Sequence, residues 1–360
     1  MKICYLSDAS SIHTKKFCEF FRRKGYEIHV ISLNYGDIDG VKVHTFNVSK
    51  DKMRYGSSLS KLQYLKHFFE IKKLVKEINP DILHAHYATS YGLLGSLCNF
   101  HPYIISVWGS DVYDFPKGSS VKRKLLMSNL KKADVIMSTS KVMAKETKLY
   151  TDKDIEITPF GVDIESFKPK ENRYSKKNEI VIGTVKTLEP KYGIEFLVKA
   201  FAKVLNKYEN IRLEIAGDGS QKEYLIEMCK EMKIENKVHF LGFINRDEVI
   251  EAFNRFDITV FPSTLDSESF GVAAVEAQAC GSATIISNVG GLPEATNPGI
   301  TSLLVEKEDE KQLADALEKL IVNEELRVDM GIQGRKFVEQ NYNIENNFSK
   351  VEEIYNKVLK

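Results

Sequence analysis

The chain has 360 residues, 43% of them apolar and 28% charged, with a formal net charge of +1. This is ordinary globular composition, long enough for two domains, and it carries no evident nucleic-acid-reading motif. The five cysteines (Cys4, Cys18, Cys98, Cys229, Cys280) are scattered with no CxxC pair, which speaks against a zinc site or a disulfide framework and suits a reducing cytoplasm.

At the start of the chain a short apolar run reaches Asp8 too early for a signal sequence, and no later apolar stretch approaches membrane-spanning length. The expectation is a cytoplasmic protein that at most lies on a membrane. Strands are expected at Ile3–Ser7, Ile28–Ser32, Val41–Phe46, Ile82–Ala85, Tyr103–Val107 and Val135–Ser138, with helices such as Thr14–Arg23 and Lys61–Ile78 between them, the pattern of a parallel sheet wrapped by helices. The loop Asp8-Ala9-Ser10-Ser11-Ile12-His13 follows the first strand, where Ser10 and Ser11 can cap the next helix. Asp37-Ile38-Asp39 imitates a metal-binding DxD but reads as solvated turn chemistry. His84 and His86 share one face of a strand by its period of two; with no third ligand evident they read as cleft-lining residues rather than as zinc ligands. Ser106-Val107-Trp108-Gly109-Ser110-Asp111 closes the next strand.

Residues 1–170 hold 27 Lys and Arg against 18 Asp and Glu, and the remainder 24 against 32. Much of the excess lies in Lys61–Lys76 and Lys117–Lys132, interleaved with Leu62, Leu65, Phe68, Phe69, Leu125, Leu126 and Leu130. These stretches suit either solvated outer faces of packed helices or docking on anionic lipid or a phosphate-bearing acceptor.

After a polar linker at Lys168–Asn178 the strand-helix alternation restarts at Glu179–Val185. It continues through Arg212–Ala216, Val238–Leu241, Ile258–Phe261, Thr284–Ser287 and Ser302–Val305. A helix over Glu310–Val322 is capped by Asp309. The implied organisation is a first domain over 1–168, a second over 179–343, and a cleft between two doubly wound sheets, which bind ligands at strand carboxyl ends. Gly183-Thr184-Val185-Lys186-Thr187-Leu188-Glu189-Pro190-Lys191-Tyr192-Gly193 leaves the first strand of the second domain. Lys186 and Lys191 flank a turn there and suit a diphosphate, although lone lysines are also ordinary surface residues.

Phe261 to Gly281 reads strand, loop, helix and stop. The helix is expected to begin near Phe270 or Gly271 and to end at Gly281, with its free amides and dipole favouring an anion. Glu268 and Glu276 lie eight positions apart, on the order of 12 Å along a helix. Paired glycosidase carboxylates sit within about 5–9.5 Å, so this spacing suits two grips on a long ligand, one on hexose hydroxyls and one on a ribose. The alternative is two solvated surface residues, but apolar neighbours flank Glu276, where an unpaired carboxylate is costly.

Glu268 and Glu276, with the fuller pattern E-x-F-G-x-x-x-x-E-A and Gly290-Gly291-Leu292-Pro293-Glu294, resemble the E-x7-E signature of the family-four retaining glycosyltransferases. Gly161-Val162-Asp163, Ala216-Gly217-Asp218-Gly219 and Phe240-Leu241-Gly242-Phe243 extend the resemblance. It implies an α/β GT-B fold of two Rossmann-like domains, no cofactor or metal, and a last helix (344–360) returning to the first domain. It further implies that Glu276 holds the donor ribose, Glu268 the hexose hydroxyls, and Phe270, Gly271 and Val272 the sugar and phosphate, with Gly183 on the donor side. Lys186 stands where many relatives have arginine, and Lys191 matches a diphosphate-contacting lysine; the exchange keeps the charge and loses the bidentate fork. Trp108 stands where an H-G-x-D element has histidine, so Asp111 becomes the catalytic candidate there, with Ser11, His13, His86 and Trp108 on the acceptor side.

The expected activity is retaining transfer of a hexosyl or N-acetylhexosaminyl unit from a UDP-sugar to a lipid-linked or polysaccharide acceptor in envelope glycan assembly. The rivals are a sugar-nucleotide hydrolase or epimerase on the same scaffold and a silent sugar-nucleotide-binding protein.

Overall fold

A computed structural model describes residues 1–48, 60–175 and 178–360. The side chains of Lys61 and Leu62, part of the first basic stretch, and residues 176–177 of the expected linker lie outside the described residues. The chain divides into two compact units, residues 1–160 with 345–360, and residues 161–344.

The first unit is built on seven parallel strands, β1 (Lys2–Leu6), β2 (Glu27–Ser32), β3 (Lys42–Thr45), β4 (Ile82–His86), β5 (Tyr103–Val107), β6 (Val135–Ser138) and β7 (Ile155–Ile157), in the order β3-β2-β1-β4-β5-β6-β7. Every residue of β4 and β5 is buried, because helices cover both faces of the sheet. β7 escapes the pattern of the sequence, since three half-buried residues at a sheet edge carry no readable period. The expected helix over Lys61–Ile78 begins as 3-10 turns over Ser60–His67 and is α-helical only from Phe68. Its α-helical start at His67 has no capping side chain, and the 3-10 turns open without an acidic residue in their first turn.

The helix Ile344–Val358 also belongs to this unit from Glu345 onward. Its Phe348 packs on Phe17 with ring centres 4.5 Å apart, its Glu352 accepts a 2.6 Å hydrogen bond from Tyr26, and the Tyr355 hydroxyl lies 2.6 Å from His84 Nδ1.

The second unit repeats the scheme with β8 (Ile180–Val185), β9 (Ile211–Ala216), β10 (Val238–Gly242), β11 (Ile258–Phe261), β12 (Ala283–Ser287) and β13 (Ser302–Val305), all parallel, in the order β10-β9-β8-β11-β12-β13. In helix Ile194–Leu205 the residues Ile194, Leu197, Val198, Phe201 and Val204 fall on one side and are buried in the core, to which helix Glu310–Val322 adds Leu313, Leu317 and Leu320. Asp309 caps the latter helix by accepting from the amides of Lys311 and Gln312.

The first unit ends earlier than residue 168. Residues 161–168 pack with the second unit, because Val162 bridges to Asn343 and Arg335 donates to the carbonyls of Ile164 and Phe167. Further along, Arg173 is 5% exposed and spends its guanidinium on the carbonyls of Asn254, Phe256 and Gly281, stapling the connecting segment to the second unit.

Candidate functional site

In each sheet the strand order reverses beside the first strand of its unit, which opens a crevice at the strand carboxyl ends. In the second unit this point lies between β8 and β11. The loop after β8 carries Lys186, Lys191 and Tyr192, and the loop after β11 carries Ser263 to Gly271. The two loops are laced together. Thr264 donates to the Lys191 carbonyl from its amide at 2.9 Å and from its hydroxyl at 3.2 Å. Gly193, at φ +62°, lies so near β11 that a Cβ would stand 2.1 Å from the Pro262 carbonyl oxygen, so only glycine fits this crossing.

Lys186 and Glu268, expected to contact different parts of a ligand, meet each other. Lys186 Nζ is 2.7 Å from Glu268 Oε2, and Ser263 Oγ donates to the same oxygen at 3.4 Å. With side chains 15% and 11% exposed, the pair is largely withdrawn from water. It is a poised arrangement, an acceptor and a cation at the lip of a sheet, each neutralising the other. Both lysine ammonium groups also approach the Tyr192 ring, Lys186 at 4.5 Å and Lys191 at 4.8 Å from its centre.

The helix that follows spans Val272–Ala279, with Gly271 at φ +86° as its N-cap and Gly281 at φ +74° past its end. The amides of Ala274 and Val275 donate to the Gly271 carbonyl at 2.9 and 3.2 Å, so it is those of Val272 and Ala273 that helix geometry leaves to make an anion-favouring end. Glu276 lies half-buried on this helix between the buried Val275 and Ala277. Phe270 is 2% exposed and packs edge-on against Tyr342, so any contribution to a ligand comes from its backbone. Gly290 and Gly291 brace the Glu268 loop from behind. The Gly291 amide donates to the Glu268 carbonyl at 2.8 Å, and a Cβ on Gly290 would stand 2.2 Å from that same oxygen. Gly183 lies inside β8, where its missing side chain admits the ring of Phe256.

In the first unit the corresponding crevice lies between β1 and β4. Ser11 caps helix Ile12–Arg23 through its backbone only, without a side-chain bond, while Asp8 Oδ1 accepts from the Ser10 amide and hydroxyl. His13 stacks on Phe160 at 3.9 Å; Trp108 lies 5.8 Å from His13, 5.3 Å from Phe160 and 4.4 Å from His86, so His13, His86, Trp108 and Phe160 form one aromatic nest. His86 Nδ1 bonds Ser7, whereas His86 Nε2 and His13 Nδ1 have no partner among the described residues. Burial pulls the His84 pKa down to about 3 and that of His86 well below its ordinary value. His13 keeps some exposed surface, yet the packing around it, with Lys16 nearby, brings it down to about 3. These imidazoles are therefore neutral.

Two expectations need correction here. His84 does not line a crevice: it is fully buried, with Tyr355 on one nitrogen and Ser106 at 2.8 Å on the other. Asp111 does not offer a free carboxylate. It is 1% exposed and accepts from the amides of Ala88 at 2.8 Å, Gly109 at 2.8 Å and Trp108 at 3.2 Å, which makes it the post that shapes the Trp108 turn. Burial raises its pKa, against the pull of those amides. Asp39 stands at the surface facing Arg22 at 3.8 Å, on a loop between strands. All five cysteines are buried thiols, their pKa values raised by burial.

The sequence profile described as "Glycosyl transferases group 1" matches residues 163–337, and that described as "Glycosyl transferase 4-like" matches residues 2–140. The chain is a glycosyltransferase with a 4-like domain and a group 1 domain. Relatives of this glycosyltransferase include N-acetyl-alpha-D-glucosaminyl L-malate synthase of Bacillus anthracis, 27% identical over 304 residues, which are 81% of this chain and 78% of the relative. The capsular polysaccharide biosynthesis glycosyltransferase CapM of Staphylococcus aureus is 25% identical over 95% of this chain and 93% of its own length. Among solved structures, sucrose-phosphate synthase of Thermosynechococcus elongatus superposes with a TM-score of 0.85 at 20% identity over 99% of this chain and 98% of that chain. Anabaena HepE in complex with UDP gives 0.83 at 19%, over 99% and 100%. The fold is GT-B, two Rossmann-like domains.

In this glycosyltransferase three features escape a reading of the sequence. The Lys186–Glu268 contact joins residues far apart in the chain, with no spacing to announce it. Tyr192 looks like an ordinary turn aromatic until both lysines are seen over it. The Arg173 staple hides in a polar stretch that reads as a linker; its only signal is an arginine followed by an aromatic residue in an otherwise featureless run.

Proposed function

We propose that this glycosyltransferase moves a hexosyl or N-acetylhexosaminyl unit from a UDP-sugar, with retention of anomeric configuration and without a metal, to a lipid-linked or polysaccharide acceptor of cell-envelope glycan. The observation that carries the reading is the Lys186–Glu268 pair beside Lys191, at the strand ends where the Val272–Ala279 helix begins. In the free protein each member compensates the other. An arriving donor offers its diphosphate to Lys186 and Lys191 and its hexose hydroxyls to Glu268, so both charges find new partners without passing through a bare, dehydrated state. Glu276 takes the ribose, and the helix amides from Val272 face the phosphate.

Glu268 and Glu276 are assigned to separate ends of the donor, which leaves no carboxylate pair for a double displacement. The reading is therefore front-face attack: the acceptor oxygen bonds to the anomeric carbon on the face from which the diphosphate leaves. The departing phosphate oxygen takes the acceptor proton, and the lysines and helix amides stabilise the diphosphate. The choice of UDP is supported by the UDP and UDP-glucose complexes of Anabaena HepE, and that of a glycan acceptor by the capsular polysaccharide biosynthesis for which CapM is named.

Glu268→Ala tests the assignment. Transfer is expected to fall at least ~100-fold with the thermal midpoint within a few degrees of the parent; near-normal turnover overturns it. A thermal-shift panel of UDP-, GDP- and ADP-sugars tests the base, since a ligand at a hundred times its dissociation constant stabilises by about 2.7 kcal/mol. Donor consumption without acceptor at the rate of transfer would instead identify a hydrolase.

A further inference from the structure

We propose that Tyr192 is a positioning residue for the leaving diphosphate, its ring serving as a shared seat for the Lys186 and Lys191 ammonium groups; this rests on the donor-site reading above. Lysine is a flexible four-carbon stem, and two of them beside one anion site bring both rotamer entropy and mutual repulsion. A ring within reach of both answers both problems, because its electron-rich face attracts each ammonium while the ring itself is held still.

The ring is well anchored. Tyr192 ends a 3-10 turn, Pro190–Tyr192, whose first residue has a fixed φ and whose last donates its amide to the Glu189 carbonyl at 2.9 Å. Gly193 then locks against Pro262, and the tyrosine packs on the core of the second unit. The two lysines depend on it differently. Lys186 is also held by Glu268, whereas Lys191 is exposed at its side chain and fixed at its backbone by Thr264. The seat therefore matters most for Lys191, and its consequence is selectivity for a diphosphate, which can engage both cations, over a monophosphate or an uncharged nucleoside.

Calorimetric titration of the full chain with UDP and with uridine, on the parent, Tyr192→Leu, Tyr192→Phe, Lys186→Met and Lys191→Met, tests this. Tyr192→Leu is expected to weaken UDP roughly fivefold to thirtyfold while leaving uridine unchanged, so that the ratio of the two affinities falls. Tyr192→Phe, which keeps the ring, is expected to match the parent. A generally damaged fold would weaken both ligands together and leave the ratio intact, and that result overturns the proposal, as does a phenylalanine variant that behaves like leucine. Unchanged UDP binding in Tyr192→Leu, with loss in the lysine variants, removes the seat and keeps the donor site. Unchanged UDP binding in both lysine variants removes the donor-site reading itself.

Discussion

At Glu268 a carboxylate 11% exposed stands 2.7 Å from an ammonium 15% exposed, and neither can be neutralised without cost to the other. Glu268→Gln leaves Lys186 largely dehydrated without its counter-ion, and a stability loss of about 1–3 kcal/mol is expected alongside the loss of turnover. The double variant Lys186→Met/Glu268→Gln should be less destabilised than the sum of the single variants, by ~1 kcal/mol or more, in urea unfolding. Strict additivity would mean the contact contributes nothing in solution. Spacing and neighbours single out Glu268 and Glu276 in the sequence, whereas nothing there announces the contact of Glu268 with Lys186. Asp111 shows why: its character depends on amides of Ala88, Trp108 and Gly109, and the first of these comes from a different loop. A carboxylate that looks available in a motif is, once folded, already spoken for.

Among the elements, strands and helices were the readable part, because buried parallel strands show as apolar runs and the helices as one-turn repeats. The crossings between loops were not, since they depend on backbone approach rather than on side-chain pattern. Gly193→Ala should test one of them. Its Cβ would meet the Pro262 carbonyl at 2.1 Å in a left-handed backbone, and an expected destabilisation of about 2–4 kcal/mol should appear in urea unfolding together with a raised donor KM. Strand β4 carries a different kind of prediction. His84 and His86 on it, and His13 beside it, stay neutral when folded but take up protons near pH 6.5 when unfolded. The unfolded chain thus binds more protons below that pH, and stability should fall as pH drops from about 6.5 toward 3, by about 1.4 kcal/mol per pH unit for each such site. Asp111, whose pKa is raised on folding, acts in the opposite sense over the carboxylate range and offsets part of this. His84→Gln should flatten the slope of stability against pH by about one proton between pH 6 and 4. An unchanged slope would mean that His84 is protonated in the folded state.

Over the whole molecule the charge is uneven, with 27 basic against 18 acidic residues up to position 170 and 24 against 32 beyond it. Among the described residues no helix is long and apolar enough to cross a membrane. The helix Ser120–Lys132 nevertheless shows solvent the apolar Val121 and Met127 among Arg123, Lys124 and Lys131. That face is where docking on anionic lipid is to be tested. Sedimentation with vesicles containing phosphatidylglycerol should capture the protein at low salt and release it in about 0.5 M salt, where screening shortens the reach of each charge to a few Å. Failure to sediment at low salt would discard the lipid surface. The helix Ile344–Val358 has a consequence of another kind. It supplies Tyr355 to His84 and Phe348 to Phe17, yet the ribosome makes it only after the entire second unit. During synthesis the first sheet must therefore wait, its aromatic floor uncovered, while the uninterrupted stretch 161–344 emerges and can fold ahead of it. The half of the enzyme that is translated first is the half that is finished last.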